Sequence, residues 1–99
     1  MSSAYGFDQR RRAPIREASG VPYVYLLRCS DGSLYCGWTT DPDRRLRQHQ
    51  AGTASRYTKR RRPVEYALLL PAADRSTALR EEARIKKLAR AEKLALIGR

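Results

Sequence analysis

The stretch Tyr23-Val24-Tyr25-Leu26-Leu27-Arg28-Cys29-Ser30-Asp31-Gly32-Ser33-Leu34-Tyr35-Cys36-Gly37 decides the fold, because two runs rich in aromatic and branched residues flank Ser, Asp and Gly. It predicts a β-hairpin whose register depends on its turn. A two-residue Asp31-Gly32 turn pairs Ser30 with Ser33 and sends Tyr25 and Tyr35 to opposite faces of the sheet. A three-residue loop, with Ser30 and Asp31 in a type I turn and Gly32 in the left-handed position of a bulge, does the reverse. It pairs Cys29 with Ser33, Leu27 with Tyr35 and Tyr25 with Gly37, and the two tyrosines then share a face.

Beyond the hairpin, Asp41 is a good N-cap, Pro42 suits the first helical position and Gly52 is a good stop, so residues 42–51 are expected to be helical. At 3.6 residues per turn Arg45, Leu46 and His49 lie on one side, marked by Leu46 as the side facing the core. Arg44 and Arg47 point roughly the other way. Residues 53–62 read as a basic loop, and Val64 to Leu70 reads as a buried strand ended by Pro71. Asp74 or Ser76 can cap a second helix reaching Leu88 or Ala89, with Ala78, Leu79, Ile85, Leu88 and Ala89 on its apolar face. The expected fold is α+β: a small three-stranded antiparallel sheet (strands about 22–28, 33–37 and 64–70) flanked by helices at about 42–51, 75–89 and 91–97. Residues 1–20 mix Ser, Arg, Gly and Pro without periodicity and read as a flexible basic arm, leaving residues 21–99 as one domain.

The formal charge of +11, from 21 Lys and Arg against 10 Asp and Glu, exceeds what solubility requires and points to a polyanionic partner. Between Arg44 and Arg62 there are eight basic residues and no carboxylate, so one surface is expected to be strongly positive. Charge by itself favours plain binding over catalysis. The two cysteines, Cys29 and Cys36, form no CxxC and no His/Cys cluster, so the sequence suggests neither a disulfide framework nor a zinc site. No apolar run approaches a membrane span and no hydrophobic leader opens the chain, so no membrane is involved and a cytoplasmic location is expected.

On the second helix Glu82 falls roughly 40° and Glu81 roughly 60° from the centre of the apolar face. A carboxylate flanking the core needs a metal ion or a basic partner, and the helical wheel does not choose between these two glutamates.

Together, Tyr23-Val24-Tyr25, Tyr35-Cys36-Gly37 ten residues on, and Asp41-Pro42-Asp43-Arg44-Arg45-Leu46-Arg47-Gln48-His49 resemble the GIY-YIG nuclease superfamily over about residues 22–90. The segments Gly52-Thr53-Ala54-Ser55-Arg56-Tyr57-Thr58, Arg61-Arg62-Pro63-Val64-Glu65 and Ala78 to Leu88 look like its short, stand-alone bacterial members. Those are similar to the catalytic domain of structure-selective branched-DNA endonucleases. The resemblance implies a metal-dependent endonuclease that hydrolyses DNA phosphodiester bonds by structure and not by sequence, in repair or recombination. The alternative is a non-catalytic DNA- or RNA-binding protein that retains the fold.

Carried over residue by residue, the resemblance makes Tyr25 and Tyr35 the tyrosines of the first and second motifs. Arg45, eight positions after Gly37, becomes the catalytic arginine, His49 an active-site histidine, and Glu82 the holder of one divalent metal ion, Mg²⁺ or Mn²⁺. Tyr25 is the implied general base, Arg45 the phosphate ligand, Tyr35 an orienting group, and His49 an aid to proton transfer or a hydrogen-bonding partner. The basic run Arg56, Tyr57, Lys59, Arg60, Arg61 and Arg62 is expected to hold the backbone of branched or single-stranded DNA, with Tyr57 free to stack on an unpaired base. The first and second motifs depart from the family pattern as Tyr-Val-Tyr and Tyr-Cys-Gly, and the family's downstream asparagine has no counterpart, since the sequence contains no Asn. Site choice is expected to come from the basic surface, from dimerisation or from a protein partner.

Overall fold

A computed structural model describes residues 20–98; the arm expected over residues 1–20 lies, apart from Gly20, outside the described residues. The elements run β1 (Tyr23–Cys29), β2 (Leu34–Thr39), α1 (Pro42–Ala51), α2 (Arg56–Lys59), β3 (Val64–Pro71), α3 (Arg75–Lys86) and α4 (Arg90–Ile97). The sheet is antiparallel with order β2-β1-β3, which puts the most apolar strand in the centre.

The hairpin adopts the three-residue loop. Cys29 N–H donates to the Ser33 carbonyl at 2.9 Å, Gly32 sits at φ +84°, and Leu27 pairs with Tyr35 and Tyr25 with Gly37. Asp31 accepts from the Ser33 backbone N–H and hydroxyl and so holds the turn shut.

Alternation along β1 feeds two cores. Val24 and Leu26 face Cys36, Ala78 and Ile85, under α3 and α4. Tyr25, Leu27 and Cys29 face Val64, Tyr66 and the flanks of Tyr35 and Leu46, under α1. Helix α1 begins and ends as its sequence dictates: Asp41 accepts the Arg44 N–H, and Gly52 at φ +82° closes the last turn. Tyr66 anchors its start by donating to the Pro42 carbonyl at 2.7 Å.

Three expectations are corrected. Val64 to Leu70 is an edge strand that carries a bulge, where Leu26 pairs with Leu68 but Leu27 with Tyr66, leaving Ala67 unpaired. Only Val64 and Tyr66 are buried in it, because its far side has no neighbouring strand. The segment 53–62 contains the short helix α2, since the Ser55 hydroxyl accepts the Thr58 N–H as an N-cap. Helix α3 stops at Lys86 instead of Leu88 or Ala89, because Ala89 turns extended to start α4, where the Glu92 carboxylate accepts its N–H at 2.8 Å. With that early stop Ala89 is exposed, and Leu79 also points to solvent, 49% exposed.

Candidate active site

Gly37 shapes the site. It lies directly opposite Tyr25 across the β1–β2 ladder, and a Cβ at this position would stand 2.5 Å from Tyr25 Oη. The missing side chain is therefore the space through which the Tyr25 phenol leans over β2. The ring is packed edge-on against Tyr66 and His49, at centroid distances of 5.3 and 5.8 Å.

His49, on the core-facing side of α1, is 1% exposed, and its Nε2 lies 2.9 Å from Tyr25 Oη. Its Nδ1 lies 2.8 Å from Thr58 Oγ1, which in turn lies 3.0 Å from Ser55 Oγ. Thr58 is fully buried. Tyr35, on the same face, sets its ring edge-on to His49 at 5.4 Å and stacks on Tyr57 at 5.7 Å. The structure thus brings Tyr25, Tyr35 and His49 into one cluster, with Thr58 and Ser55 behind it.

Arg45, one turn before His49, acts on both groups through its charge: it works to lower Tyr25 and further lowers His49. Its guanidinium has no hydrogen-bond or ion-pair partner among the described residues. Burial dominates at Tyr25 and raises the phenol well above its usual range, with Arg45 opposing and Tyr35, Glu82 and Cys36 adding to the rise. Burial, then Arg45, hold His49 down at about 4. It is a neutral imidazole at physiological pH.

Glu82 approaches from α3, on the other side of β2. Its backbone carbonyl faces Cys36 Sγ at 3.8 Å, its carboxylate pairs with Lys86 at 3.3 Å, and its side chain is 18% exposed. Burial and the Glu82 charge push the Cys36 thiol up to about 11. Glu81 differs: it is more exposed and is taken up by Arg84, which donates to it at 2.9 Å.

The basic residues divide by role. Arg56, Tyr57, Lys59, Arg60 and Arg61 line one open hollow of about 720 Å³. Arg62 does not line it; its guanidinium donates to the Lys59 and Gln50 carbonyls and so ties α2 to α1. Arg61 donates to Asp31 and to the Tyr57 carbonyl, and its guanidinium lies 3.8 Å over the Tyr57 ring. That ring therefore already holds an arginine and stacks on Tyr35, and a base could stack on it only by displacing one of them. The side chains of Arg56, Lys59 and Arg60 have no hydrogen-bond or ion-pair partner among the described residues.

Sequence reasoning passed over Ser55, Thr58 and Gly37. The spacing Ser55-x-x-Thr58 is an N-cap pattern that could have flagged the first two, but nothing local foretells that Thr58 would face His49.

The depressed His49 sets a pH dependence. The unfolded chain binds a proton near pH 6.5 and the folded chain only near 4, so His49 contributes stability that is complete above 6.5 and is lost as pH falls toward 4. Denaturant titrations at pH 7 and pH 5 are expected to show wild type losing about 2 kcal/mol more than His49→Gln over that interval.

A model of the GIY-YIG catalytic domain matches residues 21–95. The chain is 50% identical over 76 residues to a UPF0213 protein of Syntrophus aciditrophicus (strain SB), covering 76% of this chain and 87% of that protein. With the UPF0213 protein VNG_2274C of Halobacterium salinarum it shares 46% identity over 74 residues, 75% of this chain and 96% of the other. Its fold is similar to the solution NMR structure of the UPF0213 protein BH0048 from Bacillus halodurans, with a TM-score of 0.51 and 39% identity, covering 77% of this chain and 81% of that one.

Proposed function

The chain belongs to the GIY-YIG family of nuclease domains, and from that premise we propose that it is a divalent-metal-dependent endonuclease hydrolysing DNA phosphodiester bonds, selective for branched or unpaired structure, in repair or recombination. The observation that carries this reading is the Tyr25 phenol fixed 2.9 Å from His49 beside an arginine, Arg45, with no partner among the described residues. An unpartnered guanidinium next to a buried phenol is a receptor for a substrate anion.

The residues fit one hard cation. Among the described residues no three His, Cys, Asp or Glu side chains gather, so a full protein cage is not on offer. One half-buried carboxylate, Glu82, suits Mg²⁺ or Mn²⁺, which keep water and take further ligands from phosphate. Cys36, held as a thiol by its acidity near 11, does not suit a thiophilic ion. When bound, the ion supplies polarisation of the phosphate and stabilisation of the leaving oxygen.

The chain's own groups supply the rest. Arg45 binds the non-bridging phosphate oxygens as charge develops. Tyr25 takes the proton of the attacking water, a task for which Arg45 favours the phenolate against the burial that opposes it. Tyr35 orients the phosphate or water, and His49 holds the phenol in place. Arg56, Lys59 and Arg60 grip the backbone beyond the cut.

Cleavage of branched, flapped and single-stranded DNA by purified protein with Mg²⁺ and with Mn²⁺ tests the reading. Cutting that a chelator abolishes is expected, and failure to cut every architecture sinks it. The basic hollow alone fits a second reading, a protein that binds nucleic acid without cutting, which shows steep salt dependence and no products. On either reading, replacing Arg56, Lys59 and Arg60 together by alanine is expected to flatten the plot of log affinity against log salt by about 2 to 3, at roughly 0.7–0.9 per lost contact. An unchanged slope in a binding titration would place the DNA elsewhere.

A further inference from the structure

A fully buried hydroxyl behind a buried histidine must be hydrogen-bonded on both sides, and its partners fix the direction of every proton in the chain. Thr58 Oγ1 has two polar side-chain neighbours, His49 Nδ1 at 2.8 Å and Ser55 Oγ at 3.0 Å. Ser55 Oγ already accepts from the Thr58 N–H, and Ser55 is half-exposed, so its own hydroxyl proton can face water.

Two arrangements are possible for a neutral imidazole. In one, His49 Nε2–H donates to Tyr25 Oη, and the phenol proton must find another acceptor; Tyr25 is 3% exposed and has no other hydrogen-bond partner among the described residues. In the other, Nδ1–H donates to Thr58, Thr58 donates to Ser55, and Nε2 accepts the Tyr25 phenol proton. Only the second gives the buried phenol proton an acceptor from the protein itself, with Ser55 at the exposed end facing water, and it leaves the lone pairs of Tyr25 Oη for the water that enters with the substrate.

We propose that Tyr25, His49, Thr58 and Ser55 form a proton relay in which Thr58 is the positioning residue: it fixes the His49 tautomer so that the phenol passes its proton inward while taking one from the attacking water. The relay rests on the nuclease reading above and specifies how a phenol that burial keeps protonated can act as its base. The steps balance. A water O–H breaks as its oxygen bonds to phosphorus, the P–O bond to the leaving strand breaks with its oxygen taking a proton from bulk water, and a new O–H forms at Tyr25; the old phenol proton moves to Nε2; the Nδ1 proton moves to Thr58 Oγ1; the Thr58 proton moves to Ser55 Oγ; and the Ser55 proton leaves to bulk water. His49 ends as the other neutral tautomer, so no imidazolium persists in a site where burial and Arg45 disfavour one. After product departs, Tyr25 yields its proton to solvent in the open site and the same hops run backward, with bulk water reprotonating Ser55. The groups that act on Tyr25 during the transfer are Arg45 from α1, Tyr35 and Cys36 from β2, and Glu82 from α3.

His49 is the lone histidine of the chain, so ¹⁵N NMR reads its tautomer without overlap. Wild type is expected to carry the proton on Nδ1 with Nε2 as acceptor, and Thr58→Val, which removes the acceptor but keeps the shape, to shift the population toward Nε2–H. In cleavage assays Thr58→Val is expected to lower kcat at least about tenfold, less than the roughly hundredfold that a proton-transfer group itself supplies, because Thr58 acts through His49. Its KM is expected to stay near wild type, and its solvent isotope effect to fall. Thr58→Ser, which restores the hydroxyl, recovers most of the rate. A wild-type ring protonated on Nε2 overturns the relay even if Thr58→Val does not fold. Wild-type cutting that Thr58→Val leaves unchanged overturns the relay alone, whereas absence of cutting by wild type overturns the nuclease reading and the relay with it.

Discussion

Glu82→Ala is expected to lower the cleavage rate by about a thousandfold or more while DNA affinity stays within a few-fold of wild type at the same salt concentration. The asymmetry follows from where the residue sits. Its carboxylate is bound only to Lys86 among the described residues, its side chain still reaches solvent, and its contact with Cys36 runs through the backbone carbonyl, which alanine keeps. The fold therefore loses little, whereas the proposed metal site loses its one protein ligand. Binding rests on the α2 hollow instead. Rapid-quench cleavage and fluorescence-anisotropy titrations measure the two effects separately, and a variant that cuts within tenfold of wild type would remove Glu82 from the chemistry. A check independent of activity comes from Cys36: without the Glu82 charge its thiol becomes more acidic, so alkylation at a fixed pH below about 11 speeds up.

Gly37→Ala has the second large effect, through sterics alone. The added methyl would lie 2.5 Å from Tyr25 Oη, 2.6 Å from Cζ and 3.1 Å from Cε1. A tyrosine on the surface would swing aside, but this one is 3% exposed and hemmed by Tyr66, Tyr35 and His49. Overpacking of that kind costs roughly 1–3 kcal/mol, and any rotation that relieves it pulls Oη out of reach of His49. The rate is expected to fall about a hundredfold or more, since displacements of about 1 Å at a reacting group have that effect. Chemical denaturation separates the loss of stability from the loss of rate. Activity within threefold of wild type would show that the phenol need not stand where it does.

Much of this architecture was legible locally because its signals are local. Asp41, Pro42 and Gly52 delimit α1 through caps and a left-handed residue, and those are the positions where it starts and stops. The hairpin was legible only as a choice of two registers; what decides it is the packing of Tyr25 and Leu27 against Tyr66 and Val64, a strand some forty residues away. The end of α3 was misread because Leu88 and Ala89 continue its apolar pattern, while the Glu92 side chain, which belongs to the next helix, captures the Ala89 N–H. At the site, Tyr25, Tyr35 and His49 were named by the family resemblance, and the three side chains do meet. Glu82 could not be chosen over Glu81 by the helical wheel; each has a basic partner, Lys86 for Glu82 and Arg84 for Glu81, and Glu82 is the more buried of the two. Thr58 escaped notice because a threonine in a basic run gives no outward sign that its hydroxyl turns inward.

The unpaired Ala67 carries a consequence for how the chain tolerates change. Upstream of it, even-numbered Val64 and Tyr66 point toward the tyrosine side of the sheet; downstream, odd-numbered Leu69 does so, while Leu68 serves the opposite side. One supernumerary residue thus switches which parity of this peripheral strand faces each half of the interior. Shortening or lengthening this segment by one position would swap the inward and outward sets on one side of the kink, as a change in the length of the hairpin loop would for β2. Along this stretch the spacing of the chain is under tighter constraint than the identity of most of its side chains.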